Sequence, residues 1–143
     1  MTPQVHTLVV DDEEGVRFFL EETLRRAGHV VVTASSGEEA LEAMKKKSFD
    51  VVILDVKMPG GMDGIETLRE MKKIQPLTEV ILLTGHASVE TSIEGMKLGA
   101  FDYVLKPVKL EDLLAKVADA IQKKDTHESK IRGAQINKLL RYW

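Results

Sequence analysis

The sequence predicts an α/β fold, a doubly wound parallel sheet built from five consecutive strand–helix units, with helices on both faces. Three observations predict it. Short runs rich in β-branched and aliphatic residues recur five times in the first three-quarters of the chain. Each run is continuously apolar rather than alternating, as strands buried on both faces require. Segments with helical spacing of apolar residues separate the runs, so the order βαβαβαβαβα follows, and with it right-handed crossovers.

The first strand is expected over His6–Val10. A helix over Glu14–Ala27 places Val16, Phe19, Leu20 and Leu24 on one stripe, and Gly28 can stop it in the left-handed conformation. After a strand over Val30–Ala34, Ser36 and Glu39 have the spacing of a capping box for a helix carrying Ala40, Leu41 and Met44. A strand over Val51–Leu54 precedes a helix over Ile65–Ile74, with Ile65, Leu68 and Met71 at helical spacing and Pro76 beyond its end. The fourth pair is a strand over Val80–Leu83 and a helix over Val89–Leu98 carrying Ile93 and Met96, stopped by Gly99. The fifth is a strand over Tyr103–Leu105 and a helix over Leu110–Ile121 with Leu113, Leu114 and Val117. From Asp125 the character changes. There is no further strand signal, four Lys/Arg stand against Asp125 and Glu128, and Ile131, Gln135, Ile136, Leu139, Leu140 and Trp143 form a rough apolar stripe. The expected organisation is a domain over residues 4–124 and a tail or linker helix over residues 125–143, a helical extension that continues or docks beyond the fifth helix.

Composition narrows the function classes. A chain of 143 residues is one domain's worth, with 43% hydrophobic and 30% charged residues. The net charge of −3 is too mild for a nucleic-acid surface, and the absence of cysteine removes disulfides, thiolate metal sites and cysteine nucleophiles. The start, MTPQVH, lacks the pattern of a signal peptide, and no apolar run approaches the ~20 residues of a membrane span. A cytoplasmic protein that binds neither membrane nor nucleic acid directly is the expectation.

Four of the five strand ends hand over to a reactive polar residue: Asp11-Asp12-Glu13, Asp55, Thr84 and Lys106. If the strand order is 2-1-3-4-5, these ends converge on one rim, where open parallel sheets bind ligands. Singly, each has a plain reading: a turn or capping aspartate, first-turn acids favoured by a helix dipole, a strand-end threonine, a surface lysine. Jointly they define a chemistry. Three carboxylates in one site repel one another and call for a cation, and oxygen-only ligands select a hard ion such as Mg²⁺. Asp55 is then placed to attack phosphorus and form an acyl phosphate, with Lys106 neutralising charge and Thr84 donating its hydroxyl to a phosphoryl oxygen.

The stretches LVVDDE (Leu8–Glu13), VVILDVKMPG (Val51–Gly60), MDGIETL (Met62–Leu68), VILLTGHA (Val80–Ala87) and GAFDYVLKP (Gly99–Pro107) resemble the receiver domains of bacterial response regulators, over roughly residues 4–124. The run ETSIEGMKLGAFDYVLKP is most similar to receivers that head enhancer-binding transcription activators. The resemblance implies a flavodoxin-like (βα)5 sheet of order 2-1-3-4-5 and a phosphorylation-dependent switch rather than a conventional enzyme. It further implies Asp55 as phospho-acceptor, and Asp11, Asp12, Asp55 and the backbone carbonyl of Lys57 as the Mg²⁺ ligands. Thr84 and Lys106 would contact the phosphoryl group, Tyr103 would be the aromatic switch residue, and the Lys106-Pro107 peptide would be cis. The implied donor is a sensor histidine kinase or phosphotransfer protein, and a second copy of the chain is a candidate partner.

Two departures from the pattern stand out. The loop Met58-Pro59-Gly60-Gly61-Met62-Asp63-Gly64 has one glycine more than the common form. Lys57 occupies a position that varies in the family, and Lys57 and His86 are expected to position or restrict attacking water and so set phosphoryl lifetime. Tyr103 also reads as an ordinary sheet-edge aromatic, and His6 and His29 as imidazoles without metal spacing. A phosphohydrolase of the haloacid dehalogenase type would want an aspartate where Lys57 stands. A flavodoxin-like electron carrier would need a phosphate loop where Asp11-Asp12-Glu13-Glu14 would repel phosphate. A receiver acting purely as an interaction module is the third alternative, and the tail fits both a single-domain regulator and the front of a longer protein.

Overall fold

The computed structural model describes residues 4–85 and 89–141. His86 and Trp143, singled out above, lie outside the described residues. The elements are β1 (His6–Val10), α1 (Glu14–Arg26), β2 (Val30–Ala34), α2 (Gly37–Lys46), β3 (Val51–Asp55), α3 (Gly64–Ile74), β4 (Glu79–Thr84), α4 (Val89–Lys97), β5 (Asp102–Leu105) and α5 (Leu110–Leu140). The strands form one parallel sheet of order β2-β1-β3-β4-β5. This is the flavodoxin-like (βα)5 fold expected from the sequence.

β3 and β4 are buried along their whole length, which is why their sequences show no polar alternation. Successive residues still point to opposite faces. Leu8, Val10, Val52, Leu54 and Leu82 face Ala40 and Met44 of α2 and Leu68 and Met71 of α3. Val9, Val51, Ile53, Ile81 and Leu83 face Leu20 and Leu24 of α1 and Leu113, Val117 and Ala120 of α5. Gly28 and Gly99 end α1 and α4 with positive φ. The Lys106-Pro107 peptide is cis.

Three features differ from the sequence reading, and a fourth settles an alternative it left open. Phe19 is 47% exposed rather than part of the buried stripe of α1, whose inward face is carried by Leu20 and Leu24. In α4 Met96 points outward along with Ile93, whose exposure on this face agrees with the sequence reading, and Ser92 and Gly95 form the buried face. The reason is close approach: a Cβ at position 95 would lie 2.5 Å from Leu82 Cδ1. At the start of α2, Ser36 Oγ accepts from Glu39 N (3.1 Å), but Glu39 reaches back to Ser35 N and Oγ rather than to Ser36. The helical extension expected beyond the fifth helix is a direct continuation of α5 past Ile121. It runs unbroken for 31 residues. Lys124 ties it to the amino-terminal edge of the sheet, bonding Asp50 Oδ1 (3.2 Å) and Glu128, while Asp50 Oδ2 accepts from His6 N (2.8 Å). Beyond Lys124 most side chains are exposed, Ile136, Leu139 and Leu140 among them. Among the described residues no helix is long and apolar enough to cross a membrane.

Candidate functional site

Parallel pairing brings the carboxyl ends of four strands side by side. Val10 pairs with Leu54, Asp55 with Leu83, and Thr84 with Leu105. The residues that follow these positions therefore share one rim. β2, outside β1, ends there in Ala34, and the Ser35 that follows gives its hydroxyl to Glu39.

Asp11 is fully buried, Asp55 is 4% exposed, and Asp12 is exposed at the mouth. One carboxylate oxygen from each lies within 4.8 Å of the other two. Lys106 reaches across from the end of β5, its Nζ 3.1 Å from Asp11 Oδ2 and 3.4 Å from Asp55 Oδ1. Local hydrogen bonds aim the acids: Asp11 Oδ1 accepts from Glu13 N (2.9 Å) and Asp55 Oδ1 from Lys57 N (3.2 Å). Thr84 is buried at the end of β4, and its hydroxyl donates to the Gly85 carbonyl (3.0 Å). The Lys57 side chain is exposed. Tyr103 stands half-buried on β5, opposite Leu82, with the Lys116 ammonium 5.6 Å from its ring centroid.

The charges do not balance. Burial first, and the Asp11 carboxylate second, push Asp55 up to about 6; Lys106 and the Lys57 N–H act in the opposite direction. Burial would lower Lys106, but the charges of Asp55 and Asp11 outweigh it and hold the ammonium above its usual range. Three carboxylates thus face one ammonium. A cluster of oxygen donors with surplus negative charge, partly open at Asp12, fits a hard divalent cation.

Two side chains join the site without having been read from the sequence. Arg17, in α1, donates from Nη1 to the Asp11 carbonyl (2.8 Å) and so fixes the backbone of the acidic pair. A basic residue in the first turns of a helix opposes the helix dipole, and that misplacement was its signal. Glu38, at the start of α2, accepts from Met62 N (2.8 Å) in the loop between β3 and α3. No local pattern announces a contact across 24 positions.

A parallel α/β sheet with an acidic triad, a hydroxyl and a lysine at the carboxyl rim defines the receiver class of signalling domain. The chain belongs to the response regulator receiver domain family, whose model matches residues 7–118. The transcriptional regulatory protein ZraR of Escherichia coli O157:H7 is 41% identical over 117 residues, which cover 82% of this chain and 26% of that protein. The DNA-binding transcriptional regulator NtrC of Escherichia coli K12 is 36% identical over 129 residues, covering 90% and 27%. The chain therefore spans only about a quarter of the length of these relatives. The crystal structure of a response regulator receiver domain protein from Clostridium thermocellum matches with a TM-score of 0.81 at 42% identity, covering 85% of this chain and 98% of that one.

Proposed function

We propose that the chain is a cytoplasmic signalling switch that accepts a phosphoryl group on Asp55 from a phosphohistidine of a sensor kinase or phosphotransfer protein. The observation that carries this reading is the pairing of Lys106 with both Asp11 and Asp55 at the mouth of a buried acidic cluster. In the transfer, an Asp55 carboxylate oxygen bonds to phosphorus as the bond from phosphorus to the donor imidazole nitrogen breaks, and the imidazole takes up a proton. Lys106 offsets negative charge on the moving group, and the Thr84 hydroxyl, now turned to Gly85, is free to swing to a phosphoryl oxygen. Asp11, Asp12, Asp55 and the Lys57 carbonyl would hold Mg²⁺, which supplies charge neutralisation of the phosphoryl oxygens. Positioning is most of what such a transfer needs, so the domain promotes its own phosphorylation and dephosphorylation without being a conventional enzyme.

The added charge of about −1.5 to −2 then biases two arrangements of the fold. Thr84 and Tyr103 carry the change to the face of α4, β5 and α5, where Ile93 is 50%, Leu105 38% and Leu110 41% exposed and open to a partner or a second copy. Val89, at the start of α4 on the same face, is half-buried. Residues 4–124 would be the receiver proper and residues 125–143 a linker helix towards further domains. Mass spectrometry after incubation with acetyl phosphate and Mg²⁺ tests the proposal. The expected result is a gain of one phosphoryl group, absent in Asp55→Ala and blocked by a chelator. Unmodified wild-type protein would leave the reading of a pure interaction module in its place.

A further inference from the structure

The loop between β3 and α3 begins directly at the acceptor. Its base is fixed: Lys57 N donates to Asp55 Oδ1, Met58 is buried, and Gly64 is pressed against the Asp55 carbonyl. Its tip is different. Pro59, Gly60 and Gly61 are exposed, Gly60 has a φ of 90°, and two adjacent glycines leave the backbone many alternatives. One side chain grips that tip. Glu38 Oε1 accepts from Met62 N at 2.8 Å, and it stands so close to Gly61 that a Cβ there would lie 3.2 Å from it. The platform beneath Glu38 is rigid, because α2 and α3 meet at their amino ends so tightly that a Cβ on Gly37 would fall 2.1 Å from Thr67 Oγ1. The Met62 N–H is also the main reason the Glu38 carboxyl lies below its ordinary range.

We infer that Glu38 is a positioning residue for the phosphorylation pocket: its carboxylate latches the glycine tip of the β3–α3 loop to α2 and thereby holds the Lys57 end of that loop in register with Asp55. The plain alternative is a first-turn acid that favours the dipole of α2, as the neighbouring Glu39 does. The difference is an added contact: besides its own backbone N–H and Ser36 at the start of α2, the Glu38 carboxylate reaches across to Met62 N in the loop. The inference rests on the proposed metal-dependent function, because the registered groups are the metal and phosphoryl ligands.

The test compares the full chain as wild type, Glu38→Ala and Glu38→Gln. Calorimetry reads Mg²⁺ affinity, and amide hydrogen exchange reads the peptide covering residues 57–63 in metal-free protein. Glutamine keeps an oxygen acceptor and loses the charge, so it separates a latch from a distant attraction for the cation. The expected result is faster loop exchange and an Mg²⁺ Kd about two- to fivefold weaker in Glu38→Ala, the range an exposed charge-assisted bond supplies, with Glu38→Gln close to wild type. An unchanged Kd in Glu38→Ala overturns the inference, and so does equal weakening in both variants. Wild-type protein that neither binds Mg²⁺ nor accepts phosphate would remove the proposed function itself, a result distinct from failure of the latch alone.

Discussion

The substitution Asp55→Asn keeps the shape of the acceptor side chain and removes its charge. In the folded protein burial and the Asp11 carboxylate raise Asp55 from 3.8 to about 6. At neutral pH the group is ionised in both folded and unfolded chains, so the folded state bears the full cost of that charge. Two units correspond to ~3 kcal/mol, which solvent at the open mouth reduces to about 1–2 kcal/mol. Lys106 keeps its bond to Asp11, so no ammonium is stranded. Urea unfolding in the presence of a chelator should therefore show Asp55→Asn more stable than wild type by about 1–2 kcal/mol at neutral pH. On acidification through 6 toward 3.8 the folded wild type regains its proton before the unfolded chain does, the cost disappears, and the gap between the two proteins should close. Added Mg²⁺ should stabilise wild type more than the variant, since under the proposed function it would bind only the folded acidic cluster. An Asp55→Asn protein no more stable than wild type in chelator would refute the picture of a charge-frustrated pocket.

Further outcomes follow from other parts of the molecule. Gly64→Ala would place a Cβ 2.5 Å from the Asp55 carbonyl oxygen and 2.6 Å from Val56 Cα, backbone that cannot yield, and should cost about 2–3 kcal/mol in urea unfolding. His29 is held below its ordinary pKa by burial, against the pull of Asp50, so the unfolded chain protonates first as pH falls below 6.5. Wild-type stability should accordingly decline between neutral and mildly acid pH relative to His29→Gln, and parallel pH curves would show that this imidazole does not contribute. Lys57→Asn should change the decay rate of the phosphorylated protein, measured by loss of the phosphoryl mass with time. An unchanged rate would leave Lys57 as a solvated loop side chain.

The sheet was legible because burial on both faces writes itself as unbroken apolar runs, and the strand-end residues were legible because a parallel sheet turns sequence order into spatial adjacency. Asp11, Asp12, Asp55 and Lys106 meet for that reason. The face of a helix was harder to read where size and burial part company. Met96 looks like a core residue, yet the strand surface under α4 admits only Ser92 and Gly95. Phe19 misled in the same way, since α1 seats Leu20 and Leu24 inward and leaves its large aromatics outside. Arg17 and Glu38 act on backbone groups of other segments, and such bonds leave no periodic trace. The continuation of α5 did leave one: Lys124, Glu128 and Arg132 follow each other at four-residue spacing, as supporting charge pairs in a helix do.

That unbroken α5 has a mechanical consequence. At 31 residues it measures about 46 Å, and the part beyond Lys124 reaches about 24 Å past its last tether to the sheet. It is a lever whose fulcrum lies at Lys124 and Asp50. A tilt of about 5° at the fulcrum sweeps Leu140 through roughly 2 Å, the scale on which packed interfaces change partners. A small rotation at the amino-terminal end of the sheet would thus be delivered as a displacement well outside the body of the domain.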